Sequence, residues 1–337
     1  QEWLSGRARV AGPGKSILSG SIKPLESLLN RAIFQQYGQP GIIDKSGYER
    51  ITIKLNNTYN LTSFLKLGNN ITLSPYNQDN APNATYQVYR ASPVLEPYRA
   101  DGSFAGVPGV GNPLADLEYT NNYNKGIRAV GNLFADVKFA KSFTFKSSFG
   151  IDWLDNKAVS YTPAYTVLYY DGSESMQVNP TSDLYKGYSD NFTWLWENTL
   201  NYNRVFDKHA IDLLAGYTMQ NTNSEIFNVN GENILRDGSD FWYLYPTYIT
   251  PDKLDEDGFQ NEVDDNMYYS MIFYLFRANY TYNNKYIVTA TFRRDGSSKF
   301  DESTRYGNFP SFALGWNISQ EGFMENIEFI SNLKLRG

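Results

Sequence analysis

The chain has 337 residues, a formal net charge of −6 and no cysteine; 16% of it is aromatic and 20% is charged. So much aromatic side chain with so little charge excludes a disordered chain, and the missing cysteines exclude a disulfide-stapled domain. Scattered Lys and Arg in an acidic chain give no basic face for nucleic acid. The longest strongly apolar run, Met271 to Phe276, is far short of the about 20 residues a spanning helix needs.

In chain order, residues 1–36 read as a separate N-terminal segment. It is rich in Gly, Ser and Arg, lacks sustained alternation, and suggests a short helix near Leu25 to Phe34. Gln1-Glu2-Trp3 is no secretory leader, and Leu333 to Gly337 reads as a strand just begun. Both ends are therefore expected to be cuts from a longer sequence. From residue 37 to 337 one grammar repeats. Ile51, Ile53, Leu55 and Tyr59 alternate with Thr52, Lys54, Asn56 and Thr58, a period of two with one apolar face. A turn at Asn60 to Ser63 leads to Leu65, Leu67, Ile71 and Leu73. A long segment, Pro75 to Lys125, follows.

Ile127 to Phe139 and Phe143 to Trp153 form the next pair, joined at Ala140-Lys141 and followed by a long segment to Ser189. Phe192 to Tyr202 and Ile211 to Met219 are joined at Asp207-Lys208, with a third long segment to Asn266. Tyr268 to Tyr282 and Tyr286 to Phe292 meet at Asn283-Asn284. A shorter loop precedes Phe312 to Ile318, and a last strand begins near Asn332.

The pattern predicts an all-β chain of about ten strands, with tight turns at one end and long loops at the other. Long strands joined this way are the signature of an outer-membrane barrel. Trp153, Trp194, Tyr217, Tyr268, Tyr282, Tyr286 and Trp316 fall where interfacial girdles belong, because their bodies are apolar and their tips polar. Thr, Asn, Lys and Asp on the opposite face suit a water-filled lumen. A large soluble β-sandwich or propeller alternates too, but with shorter strands and less regular loops.

The last fifth of the chain carries a specific run: Arg294-Asp295-Gly296-Ser297-Ser298-Lys299-Phe300, Arg305-Tyr306-Gly307-Asn308-Phe309-Pro310-Ser311, Gly315-Trp316-Asn317-Ile318-Ser319 and Gly322-Phe323-Met324. It resembles the SusC/RagA family of TonB-linked outer-membrane transporters of Bacteroidetes. Gly47-Tyr48-Glu49-Arg50, Leu55-Asn56-Asn57 and Ala81-Pro82 resemble earlier parts of that family. Gln320-Glu321-Gly322 departs from the paired acids more usual there, and residues 1–36 do not resemble the expected segment. The resemblance implies a transmembrane antiparallel barrel of about 22 strands closed by a plug, of which this chain supplies part and no plug. It also implies import of oligosaccharides or peptides, a SusD-like surface lipoprotein as lid, and the TonB-ExbB-ExbD complex as energy source through the plug and TonB box. Outer-membrane lipid would surround the barrel. A passive porin or a soluble glycan-binding β-protein stands as the alternative.

Within the motif, Asp295 to Ser298 reads as a turn, with Gly296 free to take positive φ, and Pro310 as a strand's first residue or an unpaired position. Arg294, Phe300, Phe309, Ser311, Gly315 and Trp316 are structural in the same reading. No catalytic constellation or cofactor motif is present. The single histidine, His209, reads as an ordinary residue beside its turn. Asp255 and Asp257 lie in an acidic loop that lacks the full calcium-loop pattern, and Gly109 to Gly111 precedes no helix suited to phosphate. Trp242, Tyr243 and Tyr245 form an aromatic cluster inside a long loop. It is a candidate for stacking on ligand rings, though packing on neighbouring loops is favoured.

Overall fold

A computed structural model describes residues 17–18, 28–82, 85–244, 267–324 and 329–337. Twelve strands form one antiparallel sheet in near-sequential order: β1 (Ile17–Leu18), β2 (Leu28–Pro40), β3 (Gly47–Asn60), β4 (Leu65–Asp79), β5 (Asn121–Phe139), β6 (Phe143–Thr162), β9 (Asp183–Phe206), β10 (His209–Glu232), β11 (Met267–Tyr282), β12 (Tyr286–Ser297), β13 (Tyr306–Asn317) and β14 (Lys334–Arg336). The excursion between β6 and β9 folds into a two-stranded hairpin, β7 (Tyr165–Leu168) and β8 (Glu174–Asn179). The excursion between β4 and β5 carries helices α1 (Thr85–Arg90) and α2 (Pro113–Tyr119).

All ten strands expected from alternation are present. The short helix expected near Leu25 to Phe34 is not: Leu28 onward belongs to β2, which pairs with β3 from Leu28↔Tyr59 to Pro40↔Gly47. In that stretch polar residues interrupt the alternation, and the ladder with β3 decides the conformation over local propensity.

Register explains the two faces. Leu133, Phe149, Trp196, Met219 and Ile272 lie opposite one another across five strands. Leu133 is 59% exposed, Phe149 47% and Trp196 42%. A continuous apolar surface of this kind is far larger than a soluble monomer exposes, so it calls for a hydrocarbon solvent. One residue along, Ser148, Glu197 and Thr218 form a polar row on the other face.

The height of the apolar band fits a bilayer. At the turn end Phe139 stacks on Phe143 (5.4 Å) and Phe143 tilts against Tyr202 (4.8 Å). Beside them His209 stacks on Phe206 (5.4 Å), tilts against Tyr282 (5.1 Å) and shares a 2.7 Å hydrogen bond with the Tyr280 hydroxyl. The single histidine is thus part of an aromatic girdle. At the other end lie Trp153 and Trp194, opposite Phe192 and Ile151, whereas the Tyr217–Tyr274 pair (5.3 Å), in line with Ser147, sits between the two ends rather than in a girdle. From Phe143 to Trp153 is ten residue steps. At about 3.3 Å each and a tilt of about 40°, they rise about 25 Å, the height of an outer-membrane apolar band. Strands β6, β9 and β10 continue well beyond it.

Tight turns close the short end. Asn283 and Asn284 both have positive φ (51° and 56°), as do Ala140 and Lys141 (47° and 57°) and Asp207 (48°). This handedness matches the strand twist of antiparallel hairpins. The ends are not uniform, however. Residues 41–46 make a short connection on the long-loop side, and 318–333 make a long one on the turn side.

That turn-side connection is clasped by Glu321. Its carboxylate pairs with Lys285 Nζ (2.8 Å) and accepts hydrogen bonds from Trp316 Nε1 (3.0 Å) and the Tyr286 hydroxyl (2.9 Å). These bonds, Lys285 first, hold its pKa down from an ordinary 4.5 to about 2. A depressed acid stabilises the fold above its unfolded pKa and loses that contribution as pH falls through its folded one. Acid titration of stability in the intact protein should therefore show a Glu321-dependent loss between about pH 4.5 and 2, and Glu321→Gln should flatten that slope. Identical slopes would remove the clasp.

Candidate functional site

The long-loop end is built rather than loose. Asn112, fully buried, caps α2 at a Pro-initiated helix start: its Oδ1 accepts from the amides of Leu114 (2.9 Å) and Ala115 (3.4 Å). Its Nδ2 donates to the carbonyls of Pro97 (2.8 Å) and Ala105 (2.9 Å). Gln177 on β8 joins this hub to the hairpin. Its Oε1 accepts from the Asn112 amide (2.7 Å), and its Nε2 donates to the Asn112 carbonyl (3.0 Å) and Asp116 Oδ1 (2.5 Å). Tyr119 of α2 stacks on Tyr165 of β7 with centroids 4.2 Å apart. Ala105 bridges Leu168, and Ala105, Val107, Ala115 and Val167 fill the small core between them. Two excursions far apart in sequence therefore form one extracellular-type platform. Two of its tips share one turn. Asp101 and Asp171 each accept from the amide and hydroxyl of the serine two residues on, with Gly102 and Gly172 at positive φ. The serine hydroxyl bonds hold both carboxyls below their usual range.

The aromatic cluster of the third excursion is split. Trp242 is 9% exposed and stacks on Tyr161 (4.7 Å); its Nε1 donates to the Asp237 carbonyl (3.0 Å), while the Tyr161 hydroxyl donates to Asp237 Oδ1 (2.7 Å). With Leu184 and Ile234 it forms a core on the strand extensions. Its ring faces protein. Tyr243 is 56% exposed, with Lys186 Nζ 5.8 Å from its ring. Tyr245, Asp255 and Asp257 lie outside the described residues. Among the described residues no cluster of three or more metal-ligating side chains exists.

The C-terminal motif sits in the sheet. Gly296 lies inside β12 without positive φ, against the sequence expectation. A Cβ there would come within 2.5 Å of the Tyr306 ring, so glycine is needed for room rather than for a turn. Arg294 stacks over Tyr306 (4.6 Å), and Asp295 pairs with Arg293 (2.7 Å). Ser297 ends β12, and Ser298 bonds across to Ser270 on β11 (2.9 and 2.8 Å). Phe300 is exposed at the loop tip. Pro310 lies in the interior of β13 rather than at its start, opposite Phe292. Phe309 and Ser311 share the polar face, a Cβ on Gly315 would come within 3.3 Å of Ile287, and Trp316 serves the Glu321 clasp.

The polar face holds the remaining chemistry. Asn70 Nδ2 donates to Asn132 Oδ1 and Asn132 Nδ2 to Ser148 Oγ, each at 3.0 Å. Arg128 and Asp152 form a two-pronged pair (3.1 and 2.7 Å). A trough of about 390 Å³ runs past Asn70, Asn132, Asp152, Thr193, Glu197 and Gln220. Nearer the turns Asp212 accepts from Asn201, Asn203 and Asn279 (3.2, 3.2 and 3.3 Å). Alternation in the sequence places Arg128 and Asn132 on this face by number and the others only by residue type, and it misses Asn112 and Gln177; Asn-Pro before a short apolar run is the one local sign of the former.

Because Asn112 is buried and satisfies four groups, Asn112→Ala should cost about 1–3 kcal/mol locally. Hydrogen exchange over residues 95–120 and 165–179 should quicken by about tenfold or more, with exchange in β5 and β6 unchanged. Uniform protection would show that the hub does not tie the excursions together.

No protein-family model matches the chain. It is 32% identical over 307 residues to TonB-dependent receptor P39 of Formosa agariphila, a match covering 88% of this chain and 28% of that protein. It is 29% identical over 235 residues to TonB-dependent receptor SusC of Bacteroides thetaiotaomicron, covering 67% of this chain and 20% of that protein. Among solved structures, the RagAB peptide importer in its closed-closed state matches with a TM-score of 0.75 and 18% identity, over 99% of this chain and 37% of that one. The chain thus spans less than a third of the length of the curated relatives it matches. Shared sequence over most of the chain and the shared sheet lead to one conclusion: it is related to the SusC/RagA-like TonB-dependent receptors of Bacteroidetes, and its sheet is a portion of their outer-membrane barrel.

Proposed function

We propose that this chain forms barrel wall and loop platform of an importer that brings oligosaccharides or peptides across the outer membrane. The observation that carries the proposal is the two-faced sheet. A band about 25 Å tall faces lipid, and a continuous polar face, lined by Asn70, Asn132, Asp152, Glu197 and Asp212, offers a wet path through it. No catalytic step is part of this reading, in keeping with relatives named as receptors.

The energy source follows from the compartment. An outer membrane has neither ATP nor an ion gradient, so work must arrive by mechanical linkage from the inner membrane. In the proposed protein that linkage is the TonB-ExbB-ExbD complex pulling on a plug supplied by sequence beyond this chain. A SusD-like surface lipoprotein would close the mouth against the platform ordered by Asn112 and Gln177. In the third excursion Trp242 positions the exposed Tyr243, with Lys186 beside it, as a ligand-facing aromatic, and Tyr245 would extend the same surface.

Uptake separates this reading from a passive pore. Cells carrying the intact gene should accumulate a labelled oligosaccharide or peptide cargo, and loss of TonB or a proton uncoupler should abolish it. Undiminished uptake without TonB would favour the porin instead.

A further inference from the structure

Aromatic rings on the apolar face are accounted for by lipid, but tyrosines of three neighbouring strands gather on the polar face. In register, Tyr37 of β2, Arg50 of β3 and Tyr76 of β4 stand side by side, and Tyr48 follows two residues along β3, on the same face as Arg50. Tyr37 and Tyr48 have ring centroids 6.2 Å apart, and Tyr48 and Tyr76 are stacked at 6.1 Å with a 26° angle between planes. The Arg50 guanidinium lies 6.0 Å from the Tyr37 and the Tyr48 ring centroids. The row continues through Gly126 to Asn156, three residues past Trp153, so it lies at the long-loop rim just beyond the apolar band.

The group is held in place. Tyr76 reaches over Gly126 to donate to Asn156 Oδ1 at 2.7 Å, and a Cβ on Gly126 would come within 2.8 Å of that hydroxyl. The Tyr37 hydroxyl donates to Gln39. Tyr48 is flanked in register by Gln39 and Gln78, and beside it opens a recess of about 490 Å³ that Gln39, Ser46, Gln78 and Asn80 also line. Arg50 is exposed, and among the described residues no carboxylate lies within ion-pair distance of it.

We propose that Tyr37, Tyr48, Tyr76 and Arg50 form a binding site for an acidic saccharide, with sugar rings on the tyrosine faces and a carboxylate or sulfate on Arg50. The inference rests on the import reading above and adds a site and a cargo class to it. Three contiguous, preordered ring faces suit the flat C–H faces of pyranoses at little entropic cost. The neighbouring amides suit sugar hydroxyls. An unpaired guanidinium whose fork matches a planar anion supplies charge complementarity. A peptide would instead call for backbone-matching donors and acceptors, for which this flat surface has no ladder.

The test is equilibrium binding to the intact transporter in detergent, using a panel of uronate-bearing and sulfated oligosaccharides beside neutral oligosaccharides and acidic peptides. An acidic oligosaccharide should bind. Tyr48→Ala and Arg50→Gln should each weaken it about tenfold or more, and Tyr48→Phe and Arg50→Lys should recover part of the loss. Heat-modifiable electrophoretic mobility equal to that of the unaltered protein shows that each variant is folded. Retention of only neutral sugars or peptides, absence of any binding across the panel, or acidic-sugar binding indifferent to Tyr48→Ala and Arg50→Gln would each overturn the site. TonB-dependent uptake that persists unchanged in those variants would leave the import reading standing while removing this one.

Discussion

Backbone hydrogen bonding in a medium without water is the constraint on which the rest of this structure depends. Every amide and carbonyl that crosses hydrocarbon must find its partner in a neighbouring strand, because an unpaired one costs several kcal/mol. Long, nearly unbroken ladders follow, and β6, β9 and β10 pair over twenty or more residues each. Once the ladders are fixed, alternation divides every strand between two solvents. Leu133 and Phe149 are then no anomaly: their exposure is the price of facing lipid rather than a failure of packing.

The same constraint separates the two ends of the sheet. Between the girdles the backbone has one solution, so specificity there is carried by side-chain detail. Glycines give up volume where an aromatic ring must lie flat, as Gly68 does for Phe134 and Gly296 for Tyr306. Outside the band water returns, and the excursions can build structure of their own. Their small core is polar at its centre. Asn112 and Gln177 hold two chain segments together through bonds that would be unthinkable in the lipid layer but are strong once shielded inside a loop cluster. The Glu321 clasp performs a similar task at the turn end.

Much of the sheet was legible in the sequence because period-two alternation is a local signal. Ile51 to Tyr59, Phe143 to Trp153 and Phe192 to Tyr202 each show it without help from the rest of the chain. Strand β2 was not legible, since its polar residues are explained only by the partner it pairs with. The tripeptide Asp-Gly-Ser makes the point most directly. It occurs at 101–103, 171–173, 237–239 and 295–297. In the first two its glycine takes positive φ in a tight turn, whereas Gly238 precedes a short 3₁₀ turn and Gly296 lies in a strand. Identical local chemistry gives different backbones because tertiary context decides. For the same reason the Trp242 cluster could be found as a cluster, but not divided into a buried ring and an exposed one. The Tyr37, Tyr48, Tyr76 and Arg50 group draws on three strands and emerges only with their register.

The absence of cysteine from the chain permits a direct test of the two-faced sheet. Single cysteines placed along β5 from Ala129 to Val137, in the intact protein with any cysteine outside this chain replaced, are spin-labelled in bilayers and report collision with oxygen from the lipid and with a water-soluble nickel chelate. Labels at Ala129, Leu133, Ala135 and Val137 should be oxygen-accessible, and those at Val130, Asn132, Phe134 and Asp136 nickel-accessible, alternating residue by residue. Water accessibility on both faces would contradict a membrane-spanning sheet.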